Sequence, residues 1–285
     1  MAGAPVRFVA VGDVLVDVST SEAPRPGERV HGSVTLRAGG SAANAGVWAA
    51  FMSATTTVVG RVGSDPAGDL IAGVLARRGV ETHLARDSEV PTGVAVALGT
   101  DTSLVSPGAS ARLAPDDVPD PLAGDALLVS GFSLFQQPSA PGARAALERF
   151  AGKWAAVDLA SPRLAGAAAG RLEETTAEAN VVLATADEAR AVTGLDPEEA
   201  ARALGARFDV ACVKLGERGA VGCQGDRIAR AKADPVARRS PFGAGDAFAA
   251  ALLVALALGE PLERALDLAC ETGARAAASE DGWPT

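Results

Sequence analysis

Short apolar runs punctuate the chain at residues 8–11, 56–59, 126–129, 155–159, 181–183 and 210–213, with helix-like stretches between them. Within each run the apolar residues are consecutive rather than alternate, so both faces of the strand need cover. That pattern belongs to central parallel strands with helices above and below. The regular alternation predicts an α/β protein built around a mostly parallel sheet.

Helix boundaries can be read in places. Pro66-Ala-Gly-Asp69 opens a helix with an apolar stripe of Leu70, Ile71, Val74 and Leu75. Arg77 and Arg78 suit its negative C-terminal end, and Gly79 stops it. Near the end of the chain, Gly259-Glu-Pro261 separates helices expected over 247–258 and 262–277. Two stretches, 29–37 and 94–105, have shorter alternations and more turn residues. They are expected to be antiparallel hairpin strands outside the main sheet, forming a small β lid. No internal repeat or linker interrupts the chain, so residues 1–285 are expected to form a single domain.

Composition narrows the function. Hydrophobic residues make up 48% and charged ones 21%, which excludes a disordered chain, and 32 glycines in 285 residues exclude collagen. Lys and Arg number 26 against 35 Asp and Glu, a net charge of −9 that repels phosphate backbones and anionic lipid, so neither nucleic acid nor membrane is an expected partner. Cys212, Cys223 and Cys270 have neither zinc spacing nor an even disulfide count, which fits thiols in a reducing cytoplasm. Asp13 and Asp17 interrupt the N-terminal valines, so no export leader is expected. The uncharged run 38–60 is rich in Gly, Ser and Thr, and 247–258 is too short to span a bilayer. His31 and His83 are too scattered for a metal site.

The most informative segment is Ser240-Pro-Phe-Gly-Ala-Gly-Asp-Ala-Phe248. Gly243, Ala244 and Gly245 precede a long apolar helix, where free N–H groups and the helix dipole can cradle a phosphate. Asp246 is either a helix cap or a general base. A carboxylate beside an anion hole repels the anion, which makes sense if it takes a proton from an attacking hydroxyl.

A second cluster, Gly39-Gly40-Ser-Ala-Ala-Asn44, is either a Gly-rich helix start or a set of donors for substrate hydroxyls. Asp13 and Asp17 have equal parity on a strand expected over 12–18. Asp17 is read as a ligand for vicinal hydroxyls and Asp13 as a solvated strand end. Arg163, after Asp158-Leu-Ala-Ser-Pro162, is either a surface residue or a contact to substrate or phosphate. Missing motifs exclude three other enzyme classes: there is no GxGxxG in the first βα turn for a Rossmann dehydrogenase, no GxxxxGK[ST] for a Walker A kinase and no GxSxG for an α/β hydrolase.

The order of segments resembles the ribokinase-like (PfkB) carbohydrate kinase family over nearly the whole chain. The matching elements are Gly12-Asp-Val-Leu-Val-Asp17, Arg25-Pro-Gly-Glu28, Gly39-Gly40 with Asn44, Val59-Gly-Arg-Val-Gly-Ser-Asp65 with Gly68, Pro91-Thr-Gly93, Val213-Lys-Leu-Gly216 with Gly219, and Gly243-Ala-Gly-Asp246. The resemblance implies an open αβα sandwich with a sugar site beneath a β lid, ATP toward the C-terminal half, and assistance by Mg²⁺. It implies Asp246 as base, Gly243, Ala244 and Gly245 as anion hole, and Asp17, Gly39, Gly40 and Asn44 at the sugar. It places Lys214, Gly216 and Gly219 beside the nucleotide, and Glu188 as an acid organising Mg²⁺ through water.

The implied activity is ATP-dependent phosphorylation of a hydroxyl on a small, unphosphorylated sugar. A nucleoside or ketodeoxygluconate kinase, and a non-catalytic sensor on the same fold, are the alternatives. Thr185 stands where the family has Asn, and Ser240-Pro241-Phe242 replaces its Asp-Thr-Thr or Asp-Pro-Thr, so little dependence on monovalent cations is expected. The tail Gly282-Trp-Pro-Thr285 leaves little to complete an adenine pocket or cation site. Arg25, Arg29 and Arg37 are read as exposed strand charges. Lid edge strands invite pairing with a second copy, so a homodimer is expected.

Overall fold

The computed structural model describes residues 4–20, 25, 27–98, 102–240 and 242–284. The chain begins with β1 (Arg7–Val11), β2 (Leu15–Thr20) and β3 (Val34–Gly39), followed by α1 (Ser41–Phe51) and β4 (Thr55–Gly63). Next come α2 (Pro66–Arg77), β5 (Val80–Asp87), β6 (Thr92–Leu98), β7 (Thr102–Gly108), β8 (Ala126–Ser130), α3 (Gly131–Leu134), α4 (Ala140–Arg149) and β9 (Trp154–Asp158). After these lie α5 (Pro162–Ala168), α6 (Leu172–Thr175), β10 (Val181–Thr185), α7 (Ala186–Thr193), α8 (Pro197–Gly205) and β11 (Val210–Lys214). The last elements are β12 (Ala220–Gln224), β13 (Arg227–Ala231), α9 (Ala244–Ala257) and α10 (Leu262–Ala278).

A nine-stranded sheet runs in the order β13-β12-β11-β10-β9-β8-β1-β4-β5. It is parallel except for the antiparallel pairs at the β12–β13 edge. Both faces are covered, as the consecutive apolar residues require. In β1, Phe8 and Ala10 join one core with Trp48, Leu252, Leu253 and Leu266, while Val9 and Val11 join a second with Leu147, Ala189 and Leu204. Each fully buried Val or Leu side chain contributes on the order of 1.5–3 kcal/mol. No described helix is long and apolar enough to cross a membrane.

The lid is a separate four-stranded sheet, β3-β2-β6-β7. Its membership corrects the sequence reading. The strand expected over 12–18 begins only at Leu15: β1 ends at Val11 in the central sheet, the chain turns from Gly12 (φ +146°), and β2 begins the lid, which leaves Asp13 in the connection. Asp13 and Asp17 therefore stand on different segments. The lid strand expected over 29–37 starts only at Val34, and 94–105 resolves into the antiparallel pair β6 and β7. Residues 99–101 of that stretch, with Pro26 and Pro241 of the motifs, lie outside the described residues.

Helix α2 starts and stops as expected, capped by Asp65. Its stripe is narrower than expected, because Leu70 is 44% exposed while Ile71 and Leu75 are buried. The Val59 to Asp65 and Pro91-Thr-Gly93 motifs prove to be a brace between the two sheets. Asp65 accepts from Gly68 N (2.9 Å) and from Thr92 Oγ1 (2.6 Å), and Thr92 Oγ1 in turn accepts from Gly63 N (2.9 Å).

Candidate active site

The site opens where the lid meets the start of α9. Two cavities join there, and Asp246, Ser41 and Phe132 line both. One lies under the lid and carries the carboxylates of Asp13, Asp17 and Asp246, with no Lys, Arg or His among its described lining residues. The other is lined by Asp158, Thr185, Glu188, Lys214 and Gly245.

Strand register explains the lid side. Asp17 pairs across to Arg37 on β3 and to Ala95 on β6, and Ala95 pairs to Val105 on β7. Asp17, Ala95 and Val105 of this row line the cavity. Gly39 and Gly40 leave the space this needs: a Cβ on Gly39 would collide with the Asp17 carboxylate, and one on Gly40 (φ +91°) with the Asp13 carbonyl. Burial pushes the Asp17 carboxyl up to about 6, against the pull of Arg37. Asp17 Oδ2 is buried without a hydrogen-bond partner, although Arg37 Nε lies at 3.8 Å.

Two residues here depart from the sequence reading. Arg37 is not a solvated strand charge: its side chain is 10% exposed, beside Asp17 and 5.4 Å from the Phe242 ring centroid. Its Nη2 also donates to Ser240 Oγ (3.4 Å). Arg25 and Arg29 are exposed as expected. Asp13 is not a solvated strand end either. It is 8% exposed and accepts from Ser130 Oγ (2.8 Å), and burial raises its pKa.

Helix α9 begins at Ala244 with Gly243 as N-cap in the left-handed region (φ +87°), and no side chain caps it. Its first N–H groups are thus left for a ligand, beside the Asp246 carboxylate. Asp246 Oδ2 accepts from Asn44 Nδ2 (2.8 Å). Burial, then the charges of Asp158 and Asp17, push its pKa up to about 7, against Asn44 and Lys214. A carboxylate so tuned is matched to proton transfer near neutrality.

In the second cavity Lys214 Nζ donates to Asp158 Oδ2 (2.5 Å) and lies 3.6 Å from where a Cβ on Gly245 would be. Burial opposes the Lys214 charge, but Asp158, Glu188 and Asp246 outweigh it and leave its pKa raised. Glu188 is buried, not a helix-surface charge. Its Oε2 accepts from Thr185 N (2.7 Å) while Thr185 Oγ1 accepts from Glu188 N (3.3 Å), a capping box that opens α7. Thr185 thus has a local role in place of the family's Asn.

A sequence profile of pfkB family carbohydrate kinases matches residues 7–282. The chain belongs to this family. It is 30% identical to a fructokinase of Klebsiella pneumoniae over 88% of this chain and 84% of that protein. Its fold is similar to that of a Vibrio cholerae fructokinase solved with fructose, ADP and potassium ion (TM-score 0.83, 25% identity, 99% of this chain and 95% of that one). It is also similar to an adenosine kinase of Sinorhizobium meliloti (TM-score 0.86, 20% identity, 99% and 96%). The ribokinase-like α/β fold follows, as does the activity: this carbohydrate kinase uses ATP to phosphorylate a hydroxyl of a sugar or sugar-like substrate.

The residues present fit a nucleotide and a metal ion. Uncapped amides and Lys214 suit phosphate oxygens. No group of three or more metal-ligating side chains occurs among the described residues. A divalent ion held mainly by phosphates and water needs only one or two carboxylates, which Asp158 and Glu188 of the second cavity can supply.

Not every expected site residue lies in the cavities of the kinase. Arg163 is exposed in the first turn of α5, outside the described lining. Gly216 (φ +62°) and Gly219 (φ +91°) form the turn after Lys214, where a Cβ on Gly219 would strike the Ala231 carbonyl. Trp283 belongs to the tail that the sequence gives no part in the site. It is 3% exposed, and its Nε1 donates to Asn44 Oδ1 (2.7 Å), so the tail packs beneath the site. A single Trp near a chain end has no periodicity to signal this.

Proposed function

We propose that this kinase phosphorylates a neutral, unphosphorylated sugar, with Asp246 as general base at the junction of the two cavities. That junction carries the reading: one carboxylate borders both the lid cavity and the uncapped start of α9. Asp17, with a buried oxygen lacking a donor, accepts from sugar hydroxyls. Asn44 keeps one N–H for the sugar, and Gly39 and Gly40 let it approach. Three carboxylates without a lining cation favour a neutral polyol over a sugar acid or sugar phosphate.

In the reaction, the acceptor hydroxyl passes its proton to Asp246 and its oxygen attacks the γ-phosphorus in line. The bond from that phosphorus to the β,γ-bridging oxygen breaks, and ADP leaves with the electron pair. The amides of Gly243, Ala244 and Gly245 face the charge that develops, and Lys214 offsets charge on the nucleotide. Glu188, through water, and Asp158 would hold Mg²⁺, which when bound would supply further charge neutralisation. Gly216 and Gly219 shape the turn behind Lys214, and exposed Arg163 has no part in this reading.

The outer face of the lid supports a homodimer. In the row next to Asp17, Val18 pairs with Leu36 and Val96, and Val96 with Leu104. Leu36 and Leu104 are 62% and 73% exposed, an apolar face that a second lid can cover. Residues 1–285 act as one catalytic unit in this reading. Net charge and buried thiols fit the cytoplasm.

The test is ADP release from MgATP with fructose, ribose, adenosine, 5-dehydro-2-deoxygluconate and fructose 6-phosphate. A neutral acceptor, fructose first, is expected to be turned over best. Preference for the acid or the phosphate overturns the substrate class, and ligand binding without ADP release overturns catalysis in favour of a sensor.

A further inference from the structure

Asn44 and Trp48 are one helical turn apart on α1, and both bind the C-terminal tail. Trp48 Nε1 donates to the Gly282 carbonyl (2.8 Å), and Trp283 Nε1 donates to Asn44 Oδ1 (2.7 Å). Arg78 closes the other side: Nη1 donates to the Pro284 carbonyl (2.6 Å), and its guanidinium carbon lies 5.7 Å from the Trp283 ring centroid. The tail also packs against the start of α9, since a Cβ on Gly243 would lie 3.1 Å from the Gly282 carbonyl oxygen.

An indole N–H can only donate, whereas a carboxamide has an oxygen and an NH₂ of nearly the same shape. Whatever faces Trp283 Nε1 must therefore accept. This constraint turns the Asn44 oxygen toward the tail and the NH₂ toward Asp246 Oδ2, which accepts at 2.8 Å. We propose that Trp283 is a positioning residue: its N–H fixes the Asn44 amide so that an N–H always meets the Asp246 carboxylate. The proposal rests on Asp246 being the base.

The consequence has a sign. Asn44 donation favours the charged form of Asp246. Without the indole N–H the amide is free to turn its oxygen toward the carboxylate, and Asp246 then holds its proton to higher pH. The other charges facing Asp246 are Asp158 from β9, Lys214 from β11 and Asp17 from β2, with Glu188 of α7 acting on Lys214, and none of them contacts Trp283 through a hydrogen bond or ion pair in the described structure.

The test uses Trp283→Phe, which keeps an aromatic ring beside Arg78 and removes the N–H. The Asp246 carboxyl carbon is followed by NMR in the free enzyme, assigned through its loss in Asp246→Asn, and kcat is measured against pH with MgATP and fructose. Trp283→Phe is expected to raise the Asp246 titration by about one unit, with kcat about tenfold lower at pH 6 and equal to wild type at pH 9. In an Asn44→Ala background the same substitution is expected to add nothing.

Trp48→Phe, which loosens the tail without touching Asn44, is expected to leave the titration in place. An unmoved titration in Trp283→Phe, an equal shift in Trp48→Phe, or full additivity with Asn44→Ala overturns the proposal. Absence of turnover in wild type instead contradicts the fructose reading, and the NMR titration still decides the role of Trp283.

Discussion

The two cavities that meet at Asp246 handle charge in opposite ways. Beneath the lid, Asp13, Asp17 and Asp246 crowd together; Asp17 and Asp246 are pushed up to about 6 and about 7, and one Asp17 oxygen lacks a donor. Across the junction, Asp158 and Glu188 are balanced by Lys214 beside an uncapped helix start. An acidic cavity short of donors suits a ligand rich in hydroxyls, and a cation next to free amides suits phosphate. Asp246 lines both cavities, which is why it is the group proposed to take the acceptor's proton.

The largest expected effect removes the shared group. Asp246→Asn is expected to lose about 10²- to 10⁴-fold in kcat while sugar binding persists, as read by ADP release and thermal shift. Next is the nucleotide side. Lys214→Met leaves Asp158 and Glu188 unbalanced and is expected to raise KM for ATP about tenfold and to cost about 3–5 kcal/mol in urea unfolding, as for a broken buried pair.

A smaller change separates stability from catalysis on the sugar side. Asp17 and Asp246 have raised folded-state pKa values, so their contribution to stability is full below about pH 4 and is lost as pH rises through about 6 and 7. Asp17→Asn is therefore expected to melt about 2–4 °C above wild type at pH 8 and to show no advantage at pH 4. Leu104→Asp on the outer lid face is expected to yield monomers in sedimentation while kcat for the sugar changes less than in any variant above. Exchanging K⁺ for tetramethylammonium is expected to change least, because the Arg37 guanidinium lies beside Ser240 and Phe242.

Central strands were legible because burial on both faces leaves uninterrupted apolar residues, and α9 because glycines precede a long apolar run. The sheet edges were not. In β5, Val80–Asp87, charged and polar residues interrupt the apolar ones as at any exposed edge; Arg227 and Arg230 do the same in β13, and Gly222 interrupts β12. Asp246, Asn44 and Asp17 could be picked out because each is polar in an apolar or glycine-rich setting. Arg37 and Asp13 could not, since their burial depends on partners in another strand or helix. Trp283 is the extreme case: its bond to Asn44 spans 239 positions.

The most direct test is a crystal structure with fructose and a non-hydrolysable ATP analogue. The account predicts an acceptor hydroxyl within about 2.6–3.2 Å of Asp246, with the terminal phosphate over the amides of Gly243, Ala244 and Gly245. A sugar bound with every hydroxyl out of reach of that carboxylate, or a terminal phosphate away from those amides, contradicts it.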